Sequence, residues 1–124
     1  MKLKYLFYFQ ALFALLPGLG FIFVPASMWA FWGAPSEGAV MDLAGRNTGA
    51  FLLLTSLVAF FAARTDDSPF RRGICLTYFI LHAVQFVIYA LPLLTGGSTF
   101  GPAWIFSLLM AVAFGYFRFI NSKA

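Results

Sequence analysis

His82, the chain's one histidine, stands near the middle of "ICLTYFILHAVQFVIYALPLL", residues 74–94, a stretch without Lys, Arg, Asp or Glu. An imidazole can ligate a metal, move a proton or simply hold a hydrogen bond. Cys75, Tyr78, Gln85, Tyr89 and Pro92 follow or precede it at steps of three and four, so a helix puts all of them on one face. That face carries nearly all the hydrogen-bonding side chains of the stretch, with Thr77 as the main exception. Polar groups left unpaired in hydrocarbon are costly. The face is therefore expected to look inward, onto partner helices or a cavity, with Tyr78, His82, Gln85 and Tyr89 as candidate ligand-binding residues. Three readings of His82 stay open. It is a neutral imidazole satisfied by Gln85 or by another helix, a wall of a ligand cavity, or a haem ligand whose second axial histidine comes from another chain.

Arg46 is the second anomaly, a cation about one turn inside an apolar run, with Asn47 and Thr48 beside it and Asp42 at the i−4 position. A carboxylate there pairs well with a later cation, and a long side chain can snorkel to the membrane interface. The alternative is an anion site, in which the Arg46 guanidinium and Asn47 hold a lipid phosphate or a substrate carboxylate.

Absences narrow the chemistry. The four acids are Glu37, Asp42, Asp66 and Asp67, and none falls inside a long apolar run, as proton-coupled export would require. No phosphate loop, dinucleotide fingerprint or metal-spaced cluster occurs, so no cofactor and no metal are expected. One histidine without an acid at its depth cannot build a catalytic triad. The single cysteine, Cys75, can form no internal disulfide.

These residues need elements to hold them, and composition says which. Of 124 residues, 62% are hydrophobic and 10% charged, against about 45–50% and about 25% in soluble domains. That leaves too little polar surface to coat a water-soluble globule. Crossing hydrocarbon takes about 20 helical residues, and four stretches are long enough: 5–24, 42–63, 73–94 and 100–120. They do not alternate as barrel strands would. The expected fold is all-α, a single integral membrane domain over residues 1–124 in the form of a four-helix bundle. Between the spans, "PASMWAFWGAPSEG" reads as a loop whose Trp29 and Trp32 sit at the interface or cover a cavity. In "RTDDSPFRR", Asp66, Asp67 or Ser68 can cap the helix that follows. Ser98 or Thr99 does the same for the fourth span, with Pro102 in its first turn.

In a membrane, helices associate through small residues and polar contacts. Gly45, Gly49, Ser56, Ala59 and Ala63 form such a stripe on the second span, and Ala103, Ser107, Ala111 and Gly115 on the fourth. Both stripes read as packing faces. Lys2, Lys4, Arg64, Arg71, Arg72, Arg118 and Lys123 all fall on one side of alternating spans, while Arg46 alone falls on the other. Basic residues gather on the cytoplasmic side, so both termini are expected there. Lys2, Lys4 and "VPA" before Ser27 also fit a secretory signal; its removal would leave the later spans in the same orientation.

The proline-ended first span, the Trp/Phe-Gly loop, the second span "AGRNTGAFLL" and the short basic loop together resemble small bacterial DoxX-like membrane proteins. The likeness extends over nearly the whole chain by topology and rests on Arg46 with Gly49 and on the Tyr78–His82 region. It implies a compact four-helix bundle and little chemistry. The third span, "LTYFILHAVQFVIY", is more loosely similar to the ergosterol-biosynthesis scaffold family, which implies a scaffold that tethers membrane enzymes. Gln85 stands where that family carries an acid. The expectation is a non-catalytic accessory or scaffold subunit of the inner (plasma) membrane. Its expected partners are membrane lipid and either another protein or further copies of this chain, with no nucleic acid. The alternative is a binder or transporter of a small lipid or quinone through Arg46 and the seam around His82.

Overall fold

The structure, a computed structural model, describes residues 2–34, 38–97 and 101–122. Its elements are α1 (Leu3–Phe23), α2 (Pro25–Phe31), α3 (Ala39–Arg64), α4 (Pro69–Leu94), α5 (Ala103–Gly115) and a π-helical turn (Tyr116–Ile120) that continues α5. There is no strand among the described residues. The protein is all-α, and α1, α3, α4 and α5 with its π turn are each long and apolar enough to cross a membrane. Large apolar side chains such as Leu16, Phe51, Phe61, Leu109 and Val112 stand exposed along these helices, as they must if lipid is the solvent. The chain divides into two compact units, one of Lys4–Arg64 and the other of the residues from Thr65 onward together with the first three of the chain.

In the first unit α1 and α3 run antiparallel, with Gly18 against Gly49 and Ala11 against Ser56. The approach is so close that a Cβ on Gly49 would lie 2.6 Å from the Gly18 carbonyl oxygen and 2.9 Å from the Ile22 nitrogen. Backbone occupies the place a side chain would take. The buried positions of α3 are Gly45, Gly49, Ser56, Ala59, Ala62 and Ala63, which is the stripe of small residues with Ala62 added. Ser56 adds direction, its buried hydroxyl donating to the Ala11 carbonyl at 2.7 Å. Interhelical hydrogen bonds of this kind contribute about 0.6 kcal/mol on average within a bilayer.

The expected loop after α1 contains a helix instead. Pro25 stands at the start of α2, where its missing N–H removes nothing and its fixed φ suits the first turn. Trp29 then ties α2 to α3. Its indole N–H donates to the Met41 carbonyl at 3.1 Å, and its ring meets Phe21 edge-on at 4.8 Å. Gly45 leaves the space that Pro25 and Trp29 fill.

In the second unit α4 begins at Pro69, four residues before the sequence places it. The reason is local: the Ser68 hydroxyl accepts the Arg71 backbone N–H at 3.1 Å, and Pro69 occupies the first turn. At the other end Pro92 interrupts the bonding ladder, and its carbonyl accepts from the N–H groups of Thr95 and Gly97. The helix ends at Leu94, with Gly96 at φ +72 in the turn beyond. α5 starts at Ala103 with Pro102 at its cap and no side-chain cap bond. The expected caps Ser98 and Thr99 lie outside the described residues. α5 packs antiparallel to α4, with Phe114 against Cys75, Phe106 against His82 and Gly115 against Phe79; its buried positions are Ala103, Ser107, Met110, Ala111 and Phe114.

Candidate functional site

The polar face of α4 is where the chemistry was expected, and its middle is buried. Tyr78 and His82 are each 3% exposed, and Cys75 is 1%. Gln85 and Tyr89 are half-buried. The face is thus one surface, most enclosed at its Cys75–His82 end. Thr77, the exception, is exposed and turns its hydroxyl back to the Gly73 carbonyl at 3.0 Å.

The partners of this face within the unit are aromatic. The His82 ring lies nearly parallel to Phe114, with centroids 6.0 Å apart and an interplanar angle of 8°. Phe106 meets it edge-on at 5.9 Å. Tyr78 is stacked against Phe114 at 5.2 Å, and the Cys75 thiol points at the Phe114 carbonyl oxygen at 3.5 Å. Phe114, carried by α5, is therefore the centre of the cluster. Gln85 follows His82 by three residues on the same face. Among the described residues, no three His, Cys, Asp or Glu side chains come together as a metal site.

Arg46 and Asn47 lie in the other unit, on α3, and both are exposed. The expected pairing of Arg46 with Asp42 does not form, whereas Arg72 is ion-paired with Asp67. Both side chains are exposed near the first turns of α3, where solvation competes and surface pairs contribute little. Thr48 does not extend an anion site either, since its hydroxyl returns to the Ala44 carbonyl at 2.9 Å. A groove of about 340 Å³ opens between α1 and α3, with Tyr8, Leu12, Leu15, Ser56 and Phe60 among its walls. No residue singled out from the sequence as a ligand contact lines it.

Two arginines assigned to topology alone are more deeply placed than that role requires. Arg71 is 7% exposed, and the Nε of Arg118 is buried with no hydrogen-bond partner among the described residues. The signal for the first was available: Arg71 sits four residues before Cys75 and extends the polar stripe of α4 by one turn. Arg118 carried no such signal, because it lies in a π turn, where Asn121 N–H bonds to the Tyr116 carbonyl at 2.9 Å. Helical spacing does not anticipate that change of register.

Comparison with protein-family models, with curated proteins and with solved structures finds no match to this chain.

Proposed function

We propose that this protein is a non-catalytic accessory or scaffold subunit of the inner membrane, with both termini in the cytoplasm. The observation that carries this reading is the environment of His82. The residue best suited to chemistry is enclosed by Tyr78, Phe106 and Phe114 within its own unit, and its face holds α4 to α5. A polar seam used in this way fixes a helix pair in one arrangement. The exposed apolar faces of α1, α3, α4 and α5 remain for lipid, for a partner's membrane helices or for a second copy of the chain. The resemblance to DoxX-like proteins and to a scaffold family points the same way.

A second reading, binding of a small lipid or quinone, has the groove between α1 and α3 in its favour. Ser56 on its wall and Arg46 are ten residues apart on one helix, about 15 Å at the rise of an α-helix. An amphiphile with its tail in the groove and an acidic head at Arg46 would span that distance.

Native mass spectrometry of the detergent-purified chain separates the two, with wild type beside Arg46→Ala and His82→Phe. The accessory reading expects a protein assembly of fixed stoichiometry, unchanged in both variants. A bound small molecule lost with Arg46→Ala would transfer the conclusion to the lipid-binding reading. A bare monomer in all three samples would overturn the accessory reading.

A further inference from the structure

The groove between α1 and α3 has two unlike ends. The helices keep one register along it, with Ala11 opposite Ser56 and Gly18 opposite Gly49. That register continues toward the start of α1, where the rings of Tyr8 and Phe60, both on the groove wall, meet edge-on at 6.1 Å. Lys4 lies four residues before Tyr8, and Arg64 four residues after Phe60. Each therefore stands one turn beyond the ring contact, on the face that lines the groove and at the same end of the antiparallel pair. The Arg64 guanidinium lies over the Phe60 ring itself, 5.5 Å from its centroid, and the Lys4 ammonium lies over Tyr5 at 5.2 Å. Neither cation is in an ion pair among the described residues. Past Leu15, at the other end, the two backbones come into contact at Gly18 and Gly49, between the groove and Arg46.

We propose that this groove holds an acyl chain of an anionic glycerophospholipid, with the lipid's phosphate bound at the Arg64–Lys4 end. Its volume of about 340 Å³ falls in the range of small-ligand sites, about 300–1,000 Å³. Below the rings the walls are apolar except for Ser56, whose hydroxyl already donates to the Ala11 carbonyl. A hydrocarbon chain therefore strands no polar group there. Leu12 and Leu57 on the walls are exposed, so the groove opens toward the bilayer from which such a chain would enter. Lys4 is at the start of α1 and Arg64 at the end of α3, two membrane-length helices, which puts both cations at headgroup depth. A phosphate between them accepts charge-assisted hydrogen bonds from a guanidinium and an ammonium and offsets their mutual repulsion. The site does not depend on the accessory reading, and its headgroup lies at the opposite end of α3 from the Arg46 of the second reading.

The test is retention of added lipid by the full-length protein in detergent, read by native mass spectrometry. The probes are phosphatidylglycerol and phosphatidylcholine with identical acyl chains. Wild type is expected to retain phosphatidylglycerol about tenfold better than phosphatidylcholine. Arg64→Gln removes most of that preference, whereas Arg46→Gln and Arg72→Gln keep all of it. Leu12→Trp, a change at an exposed wall position, fills the groove and lowers retention of both lipids. Equal retention of the two lipids by wild type overturns the proposal without recourse to any variant, and undiminished retention of both by Leu12→Trp overturns it as well. A preference lost in Arg46→Gln and kept in Arg64→Gln overturns this site while upholding the second reading. Equal losses in Arg64→Gln and Arg72→Gln overturn it too, because the attraction would then be a diffuse effect of surface charge.

Discussion

At the scale of single residues, the ring of His82 is worth more to this protein than its proton. It is in contact with Tyr78, Phe106 and Phe114, so removing it leaves a hole between α4 and α5. His82→Ala is expected to lower unfolding stability in detergent by about 2–5 kcal/mol, the range for emptying a large buried site. His82→Phe keeps the ring and is expected to stay within about 1.5 kcal/mol of wild type. If the two substitutions behave alike, ring packing is not what His82 contributes. Trp29 gives a smaller effect of a different kind. Trp29→Phe keeps the ring against Phe21 but loses the bond to the Met41 carbonyl, at a cost of about 0.5–1.5 kcal/mol. Faster hydrogen exchange over Pro25–Phe31 would show that α2 has loosened from α3. The grouping of Tyr78 and His82 on a buried face was legible because their spacing is helical and their surroundings are apolar. The cluster's centre, Phe114, was not: in a chain with 17 phenylalanines, nothing local distinguishes one ring from the next.

At the scale of elements, close approach of backbones decides where substitutions are tolerated. Gly49 and Gly73 both lie inside helices, yet their surroundings are opposite. A Cβ at Gly49 would press on the backbone of α1, whereas at Gly73 there is open space within 4 Å. Gly49→Ala is therefore expected to destabilise by about 1–3 kcal/mol, as overpacking does. Gly73→Ala should stabilise by about 0.5–1 kcal/mol by restricting the unfolded chain. Thermal unfolding of the two variants side by side tests both signs. The small-residue stripes were readable from the sequence for the same physical reason, since helices that meet in lipid need small residues where they touch. Element ends were less readable. The sequence marks Ser68 as a cap, but Arg71 and Arg72 resemble loop charges there, so the first turn of α4 went uncounted. The helix Pro25–Phe31 was hidden by its brevity and its tryptophans, and the π turn Tyr116–Ile120 by the absence of any sequence rule for it.

At the scale of the whole molecule, charge must do what packing cannot, because a helix of apolar residues inserts equally well in either direction. The cations at the helix ends are unevenly shared. Lys2 and Lys4 stand at the start of α1, Arg64 and the Arg71–Arg72 pair flank the turn between α3 and α4, and Arg118 closes the last span. Arg46 lies near the start of α3, four residues after Asp42. The proposed topology, in which the four membrane-length helices cross in alternating directions, puts these basic clusters on one side, and basic residues near span ends are retained in the cytoplasm. A fluorescent protein that matures only in the cytoplasm should therefore light up when fused after the last helix. Alkaline phosphatase, active only outside, should be active when fused at Gly38 and inactive when fused at Thr65. The reverse pattern would mean that something other than the helix-end cations orients the chain. A mixed pattern, with both enzyme fusions active, would mean that one of the spans fails to cross. The decisive refinement is to neutralise Arg64, Arg71 and Arg72 together: if these charges hold the central turn inside, the Thr65 fusion should gain activity while the Gly38 fusion loses it.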